Sequence, residues 1–196
     1  KMKLRSSLTK LLGVALTLGF AIAGHAQFNM NRIASLALNN GAEINAFDPT
    51  TKRIFVVSGA TSFDVVDLSD PANPAFVQTV DLAANNASIG GLNSVSVKNG
   101  VAVFAAENTD KQANGFIVFV STANFAVLNT LDAGALPDMV TFSPDGNTVL
   151  AANEGEPADN GNPNPEGSVT LIDLTGKQVF ALTQADVTQL PLTGFN

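Results

Sequence analysis

Thr141-Phe-Ser-Pro-Asp-Gly-Asn-Thr-Val-Leu-Ala-Ala-Asn153 reads as a strand, a tight turn and a second strand. The same pattern occurs twice upstream, in Ala46-Phe-Asp-Pro-Thr-Thr-Lys-Arg-Ile-Phe-Val-Val-Ser58 and in Ser96-Val-Lys-Asn-Gly-Val-Ala-Val-Phe-Ala-Ala-Glu107. Asn99-Gly100 suits a type I′ hairpin, in which both central residues need positive φ. Pro144-Asp145-Gly146 turns the chain by another route, through the fixed φ of proline and a glycine exit. Each hairpin is followed by two further apolar segments. The third-strand candidates are Phe63-Asp-Val-Val-Asp-Leu68, Gly115-Phe-Ile-Val-Phe-Val120 and Ser168-Val-Thr-Leu-Ile-Asp-Leu174. The fourth are Ala75-Phe-Val-Gln-Thr-Val80, Phe125-Ala-Val-Leu-Asn-Thr-Leu131 and Gln178-Val-Phe-Ala-Leu182.

Matching the second strands at Ile54, Val103 and Val149 gives spacings of 49 and 46 residues, and matching the third at Asp67, Val120 and Asp173 gives 53 and 53. Four strands repeated at about 45–50 residues is the period of a propeller blade. An immunoglobulin-like sandwich also has short strands, but it does not repeat one hairpin signature three times. The expected fold is therefore all-β, a β-propeller with about three four-stranded blades at residues 43–91, 92–135 and 136–190. Propellers close with four to eight blades, and closure protects the strand edges. Three blades predict an incomplete propeller, a fragment of a longer ring or one completed by self-association.

Residues 1–10 hold four cations (Lys1, Lys3, Arg5, Lys10) and no acid, and residues 11–23 are apolar apart from Thr17. Gly24-His25-Ala26 then supplies small residues around a cut before Gln27. This is the pattern of a secretory signal peptide over residues 1–26, with an apolar run too short to span a bilayer. Residues 27–42 are read as a lead-in strand. The expected address is exported: periplasmic, cell-surface or extracellular, with no transmembrane anchor.

The chain has 196 residues, 45% hydrophobic and 14% charged, with a formal charge of −7 and no Cys, Trp or Tyr. Cleavage removes four of ten basic residues, none of the seventeen acids and the sole histidine, leaving six cations against seventeen acids, net −11. Without His or Cys there is no Ser-His-Asp triad, no thiol nucleophile and no zinc site on imidazole or thiolate. A metal, if bound, is a hard one held by oxygen, calcium before zinc. Acidity of this degree argues against a nucleic-acid partner. Neither a GxGxxG nor a P-loop pattern occurs, so no organic cofactor is expected.

Seven segments together resemble the bacterial choice-of-anchor I proteins. They are Gly41-Ala-Glu-Ile44, Phe47-Asp-Pro-Thr-Thr-Lys-Arg53, Asp67-Leu-Ser-Asp-Pro-Ala-Asn-Pro74, Leu136-Pro-Asp-Met139, Phe142-Ser-Pro-Asp-Gly146, Ala151-Ala-Asn-Glu-Gly-Glu-Pro157 and Pro165-Glu-Gly-Ser-Val169. That family is similar to the mesenchyme-specific cell-surface glycoproteins of biomineralising animals and to the propeller part of atypical alkaline phosphatases. The resemblance implies an exported propeller and keeps a metal-dependent phosphoesterase open as the alternative activity.

In a propeller, ligand contacts gather where the innermost strands begin. The repeat alignment puts those starts at Glu43, Asn93 and Asp138. The ends of the second strands add Glu107, Glu154 and Glu156. Carboxylates brought together repel unless a cation sits among them, so Glu43, Glu107, Asp138, Glu154 and Glu156 form the first candidate calcium set. The second is the loop bearing Asp159, Asn162, Asn164 and Glu166, where oxygen donors alternate around Gly161 without matching an EF-hand. The alternative for both sets is solvated strand caps and ordinary loop chemistry. Two functions follow: a secreted, calcium-binding module for a mineral, glycan or protein ligand at the cell surface, or the phosphoesterase. No catalytic residue is identifiable.

Overall fold

The computed structural model describes residues 31–193; the expected signal peptide lies outside them. Twelve strands form three separate antiparallel sheets of four, with no α-helix among the described residues. The first sheet is β1 (Asn45–Asp48), β2 (Arg53–Ser58), β3 (Ser62–Asp67) and β4 (Ala75–Asp81). The second is β5 (Ile89–Lys98), β6 (Val101–Asn108), β7 (Asn114–Ser121) and β8 (Val127–Ala135). The third is β9 (Pro137–Phe142), β10 (Thr148–Asn153), β11 (Ser168–Asp173) and β12 (Val187–Pro191). Within each sheet the strands lie side by side in chain order. This all-β architecture of meandering blades is that of an incomplete β-propeller.

The turns follow from their residues. Asn99 and Gly100 have φ of 52° and 81°, the left-handed pair that a type I′ hairpin demands. Gly146, at φ 79°, closes the β9–β10 turn, while Asp145 accepts hydrogen bonds from Ser143 Oγ, Asn147 N (3.1 Å) and Asn147 Nδ2 (3.0 Å). Asp48 does the same work in the β1–β2 turn, accepting from Thr50 N at 3.0 Å and Thr51 Oγ1 at 2.8 Å.

The middle blade is buried on both faces. In β6 and β7, Ala102, Phe104, Ala106, Phe116, Val118 and Val120 join Phe55, Val57, Phe63 and Val65 of the first blade in one core. The intervening residues Val103, Ala105, Ile117 and Phe119 join Val140, Val149, Ala151 and Ile172 of the third blade in another. The side-chain period of two makes this division automatic. Phe63 and Phe104 stack with ring centroids 4.5 Å apart, within the range where aromatic pairs add to their burial. Arg53 ties the first two blades near the hairpin turns. Its Nη1 donates to the carbonyls of Thr122 and Ala123, both at 3.1 Å, and its guanidinium lies 5.0 Å from the Phe125 ring.

The structure corrects several sequence expectations. Ile54 and Val149 face backward along the blade stack whereas Val103 faces forward, so the spacing match was one residue out of phase. The equivalent set by pairing is Phe55, Val103 and Leu150, opposite Val65, Phe119 and Leu171. The expected division after residue 91 falls inside β5. Gln178–Leu182 is not the fourth strand of its blade. Val179–Ala181 forms a 3-10 turn, and Val187–Pro191 pairs with β11 instead. Two hydrogen bonds from Asn129 Nδ2, to Val179 O (2.8 Å) and Leu182 O (2.9 Å), hold that turn against the second blade, with Leu182 in the core. Of the lead-in strand expected over residues 27–42, residues 31–42 form no strand and residues 27–30 lie outside the described ones.

Candidate functional site

The acids sort by position along the strands. At the hairpin-turn end, Asp48, Asp67, Asp70, Asp145 and Asp173 terminate strands or cap turns, and Asp186 pairs with Lys177. Hydrogen bonds from backbone and side chains hold the carboxyls of Asp67, Asp70, Asp145, Asp173 and Asp186 below the usual carboxylate range, and those to Asp48 do so against its burial. Lys177 Nζ lies 2.8 Å from Asp173 Oδ2 and 3.0 Å from Asp186 Oδ1. These acids are structural.

The opposite end, where β5 and β9 begin and β6 and β10 finish, behaves differently. Asp138 is the second residue of β9, and Glu154 and Glu156 follow β10 directly. The chain is pinned there by Glu154 N donating to Leu136 O at 2.9 Å and Gly155 N to Ala135 O at 3.2 Å. Gly155 has φ 67°, and a Cβ on it would stand 2.5 Å from the Glu166 carbonyl carbon, so glycine is required for the return loop to pass this close. Desolvation, and then the charges of Asp138 and Glu156, push the Glu154 carboxyl above its ordinary value. Asp138, Glu154 and Glu156 have no ion-pair partner among the described residues.

The other candidates are placed apart or employed otherwise. Glu107 pairs with Lys111 at 3.4 Å and packs against Gly91, where a Cβ would sit 3.0 Å from its Oε1. Glu43 is exposed ahead of β1, its N–H donating to Val57 O at 3.2 Å. Asn93 lies inside β5 rather than at its start, beside an irregularity in the β5–β6 register, and its Nδ2 donates to Pro137 O at 2.9 Å. Of the four loop donors, Asn162 lies in the loop turn with its N–H donating to Asn160 Oδ1 at 2.9 Å, and the other three line three clefts. Asp159 lines one of about 570 Å³ with Lys111, Asn164 lines one of about 400 Å³ with Glu154, and Glu166 lines one of about 310 Å³ with Ser168 and Gln189. Among the described residues, no group of three or more acidic, His or Cys side chains is gathered closely enough to hold a metal ion.

Sequence reasoning missed a polar clamp between the second and third blades. Asn153 is 3% exposed, and its Nδ2 donates to Ser168 Oγ at 3.0 Å and Thr170 Oγ1 at 2.9 Å. Gly134 N donates to Thr170 Oγ1 at 3.3 Å, and Thr170 Oγ1 in turn donates to Gln189 Oε1 at 3.1 Å. The amide oxygen of Asn153 is buried without a partner. The clue was Gly134 in a strand otherwise free of glycine, a mark of close approach by another chain segment.

The choice-of-anchor I domain profile matches residues 43–196. The chain belongs to the choice-of-anchor I family. No curated protein matches it. Among solved structures, this choice-of-anchor I chain is similar to the hydrazine synthase of Kuenenia stuttgartiensis, with 20% identity and a TM-score of 0.52 over 69% of this chain and 34% of that one. It is also similar to a hypothetical selenium-binding protein from Sulfolobus tokodaii, with 13% identity and a TM-score of 0.54 over 74% of this chain and 35% of that one. At these identities the likeness concerns the fold. The choice-of-anchor I chain spans about a third of the length of each. No described helix is long and apolar enough to cross a membrane.

Proposed function

We propose that this protein is an exported β-propeller binding module, acting at the cell surface or outside the cell, whose recognition face is the acidic end bearing Asp138, Glu154 and Glu156. The observation that carries this reading is the unpaired charge there. Desolvation, and then the charges of Asp138 and Glu156, raise Glu154, whereas the acids of the opposite end serve the turns. Membership of the choice-of-anchor I family supports the surface address.

Calcium is the cation that suits this face, since the available donors are hard oxygens. The carboxylates do not form a ready-made cage. The reading is therefore a shared dication, bound with a dissociation constant on the order of 10⁻⁴–10⁻³ M as in other extracellular modules, that bridges the face to an anionic mineral, glycan or protein group. Calcium titration followed by carboxyl NMR tests it. The Glu154 and Asp138 resonances should shift, the Asp138 shift should be lost in the Glu154→Gln variant, and the Glu107→Gln variant should keep both. An unchanged Glu154 resonance at about 10 mM calcium, ten times the weak limit for such modules, would remove the cation from the reading. The alternative, a metal-dependent phosphoesterase, predicts turnover of a chromogenic phosphate ester that is lost on chelation and in Glu154→Gln.

A further inference from the structure

The interface between the second and third blades changes character along its length. Its middle is apolar, built on residues such as Val103, Ile117, Phe119, Val149 and Ile172. Where β7 and β11 begin and β8 and β12 finish, it opens into a cleft of about 310 Å³. Asn114 and Gly134 of the second blade face Glu166, Ser168 and Gln189 of the third across this opening.

The polar groups at its rim are not used by the fold. Asn114 serves the chain through its carbonyl, which accepts from Asn108 Nδ2 at 2.9 Å, and its carboxamide has no hydrogen-bond partner among the described residues. Glu166 has no ion-pair partner among them. Gln189 uses its Oε1, which accepts from Thr170 Oγ1 at 3.1 Å, and leaves its Nε2 to the cleft. The floor is fixed, because Gly134 and Ser168 belong to the clamp that Asn153 and Thr170 hold shut. One layer deeper the Asn153 amide oxygen is buried without a partner. Groups held in place in this way bind with a smaller ordering cost.

The lining narrows the ligand's chemistry. Two carboxamides and one carboxylate offer donors and acceptors side by side, and Pro165, Pro191 and Ala135 add apolar edges. No cation lines the cleft, which disfavours an anion, and a single acid makes no metal cage. The volume is at the small end for ligand sites, that of about ten waters at about 30 Å³ each. A compact ring with hydroxyls around it and C–H edges between them matches both the size and the lining.

We propose that this cleft binds a neutral saccharide through one pyranose unit, the Glu166 carboxylate accepting from adjacent ring hydroxyls while Asn114 and Gln189 donate. It rests on the reading of the protein as a surface binding module and goes beyond it, since the contact is direct and needs no calcium.

The test is made on the purified chain with a chelator present, so that the two readings part. Methyl glucoside, methyl galactoside and methyl mannoside are each titrated to about 10 mM, above a millimolar dissociation constant, and the side-chain amide resonances of Asn114 and Gln189 are followed by NMR. At least one sugar should move both. The uronic acid of that sugar adds a carboxylate to the same ring and should bind more weakly, since like charge opposes it. Read at Gln189, Glu166→Gln should weaken binding about tenfold and Asn114→Ala about threefold. Asp159→Asn makes the same change of charge in the same loop but on another cleft, and should leave the affinity unaltered. Far-UV circular dichroism checks folding, and Glu166→Ala repeats the test if the first variant does not fold. No shift with any of the three sugars, a uronic acid bound as tightly as its neutral parent, or full affinity in Glu166→Gln overturns the proposal. Binding that appears only when calcium replaces the chelator also overturns it, and leaves the cation-bridged reading standing.

Discussion

Replacing Gly134 by alanine should destabilise the protein, against the usual sign of that substitution. Where the backbone permits it, Gly→Ala stabilises by about 0.4–1 kcal/mol through the unfolded chain, and Gly134 is not among the glycines with positive φ. A Cβ there would lie 2.4 Å from Ser168 Oγ, 2.8 Å from Asn153 Nδ2 and 2.9 Å from Asn153 Cγ. None of these atoms has an easy retreat, because Asn153 is held by Ser168 and Thr170 inside the interface between the blades. Overpacking of a tight core costs about 1–3 kcal/mol, and stripping a buried amide of its partner costs about 1–3 kcal/mol more. The net expectation is a loss of about 1–5.5 kcal/mol after the chain-entropy gain is subtracted. With no Trp or Tyr in the chain, urea unfolding is followed by far-UV circular dichroism. The midpoint should fall with little change in slope. Ser168→Ala removes the nearest atom, so the double variant should lose less than the two single variants together. A neutral or stabilised Gly134→Ala protein would refute the clamp as described.

Other outcomes are equally specific. Phe104→Ala empties a fully buried site against Phe63 and should cost about 3–5 kcal/mol in the same urea experiment. Arg53→Met keeps the aliphatic stem but removes the donor to the half-buried Thr122 carbonyl and the exposed Ala123 carbonyl; a loss of about 1 kcal/mol is expected, and Arg53→Lys should recover only part of it. Glu156→Gln should lower the Glu154 titration midpoint towards its ordinary value, read by carboxyl NMR. Because the folded Glu154 carboxyl is raised, its favourable contribution is present below the unfolded value and lost as pH rises through the folded one, so the gain from Glu156→Gln should appear only at higher pH. The Asp173 carboxyl is depressed first by Lys177, and the Asp186 carboxyl by the Thr183 N–H and then by Lys177, so their contribution is present above the unfolded value and lost as pH falls through the folded one. Lys177→Met should flatten that acid-side dependence.

The blades were legible because turn chemistry is local. Asn99-Gly100 and Pro144-Asp145-Gly146 declare their hairpins whatever surrounds them, and the apolar segments between them repeat. The phase of the repeat was not legible. A strand buried on both faces, such as Val101–Asn108, lacks the polar alternation that would reveal which residues point forward, and a one-residue slip exchanges the faces. The segment at 178–182 misled for a tertiary reason. Its apolar residues suit a strand, but Asn129, fifty residues upstream, captures its carbonyls. The spacing put Asp138, Glu154 and Glu156 at strand ends, and that is where they stand. It could not foresee that Glu107 would be engaged by Lys111, or that Asp159, Asn164 and Glu166 would line three different clefts.

The two-sided burial of the middle blade has a consequence for biogenesis. Residues 89–135 emerge after the first blade is complete, and that blade can cover one side of them at once. The other side, with Val103, Ile117 and Phe119, has no cover until the third sheet is assembled. That sheet closes only when β12, which ends at Pro191, has paired with β11. Throughout that interval a sticky apolar surface is exposed to whatever else is nearby, the condition under which partly built chains aggregate. Each added unit shields its predecessor and bares itself, so the nascent polypeptide always carries one unprotected side, and the hazard moves along with synthesis.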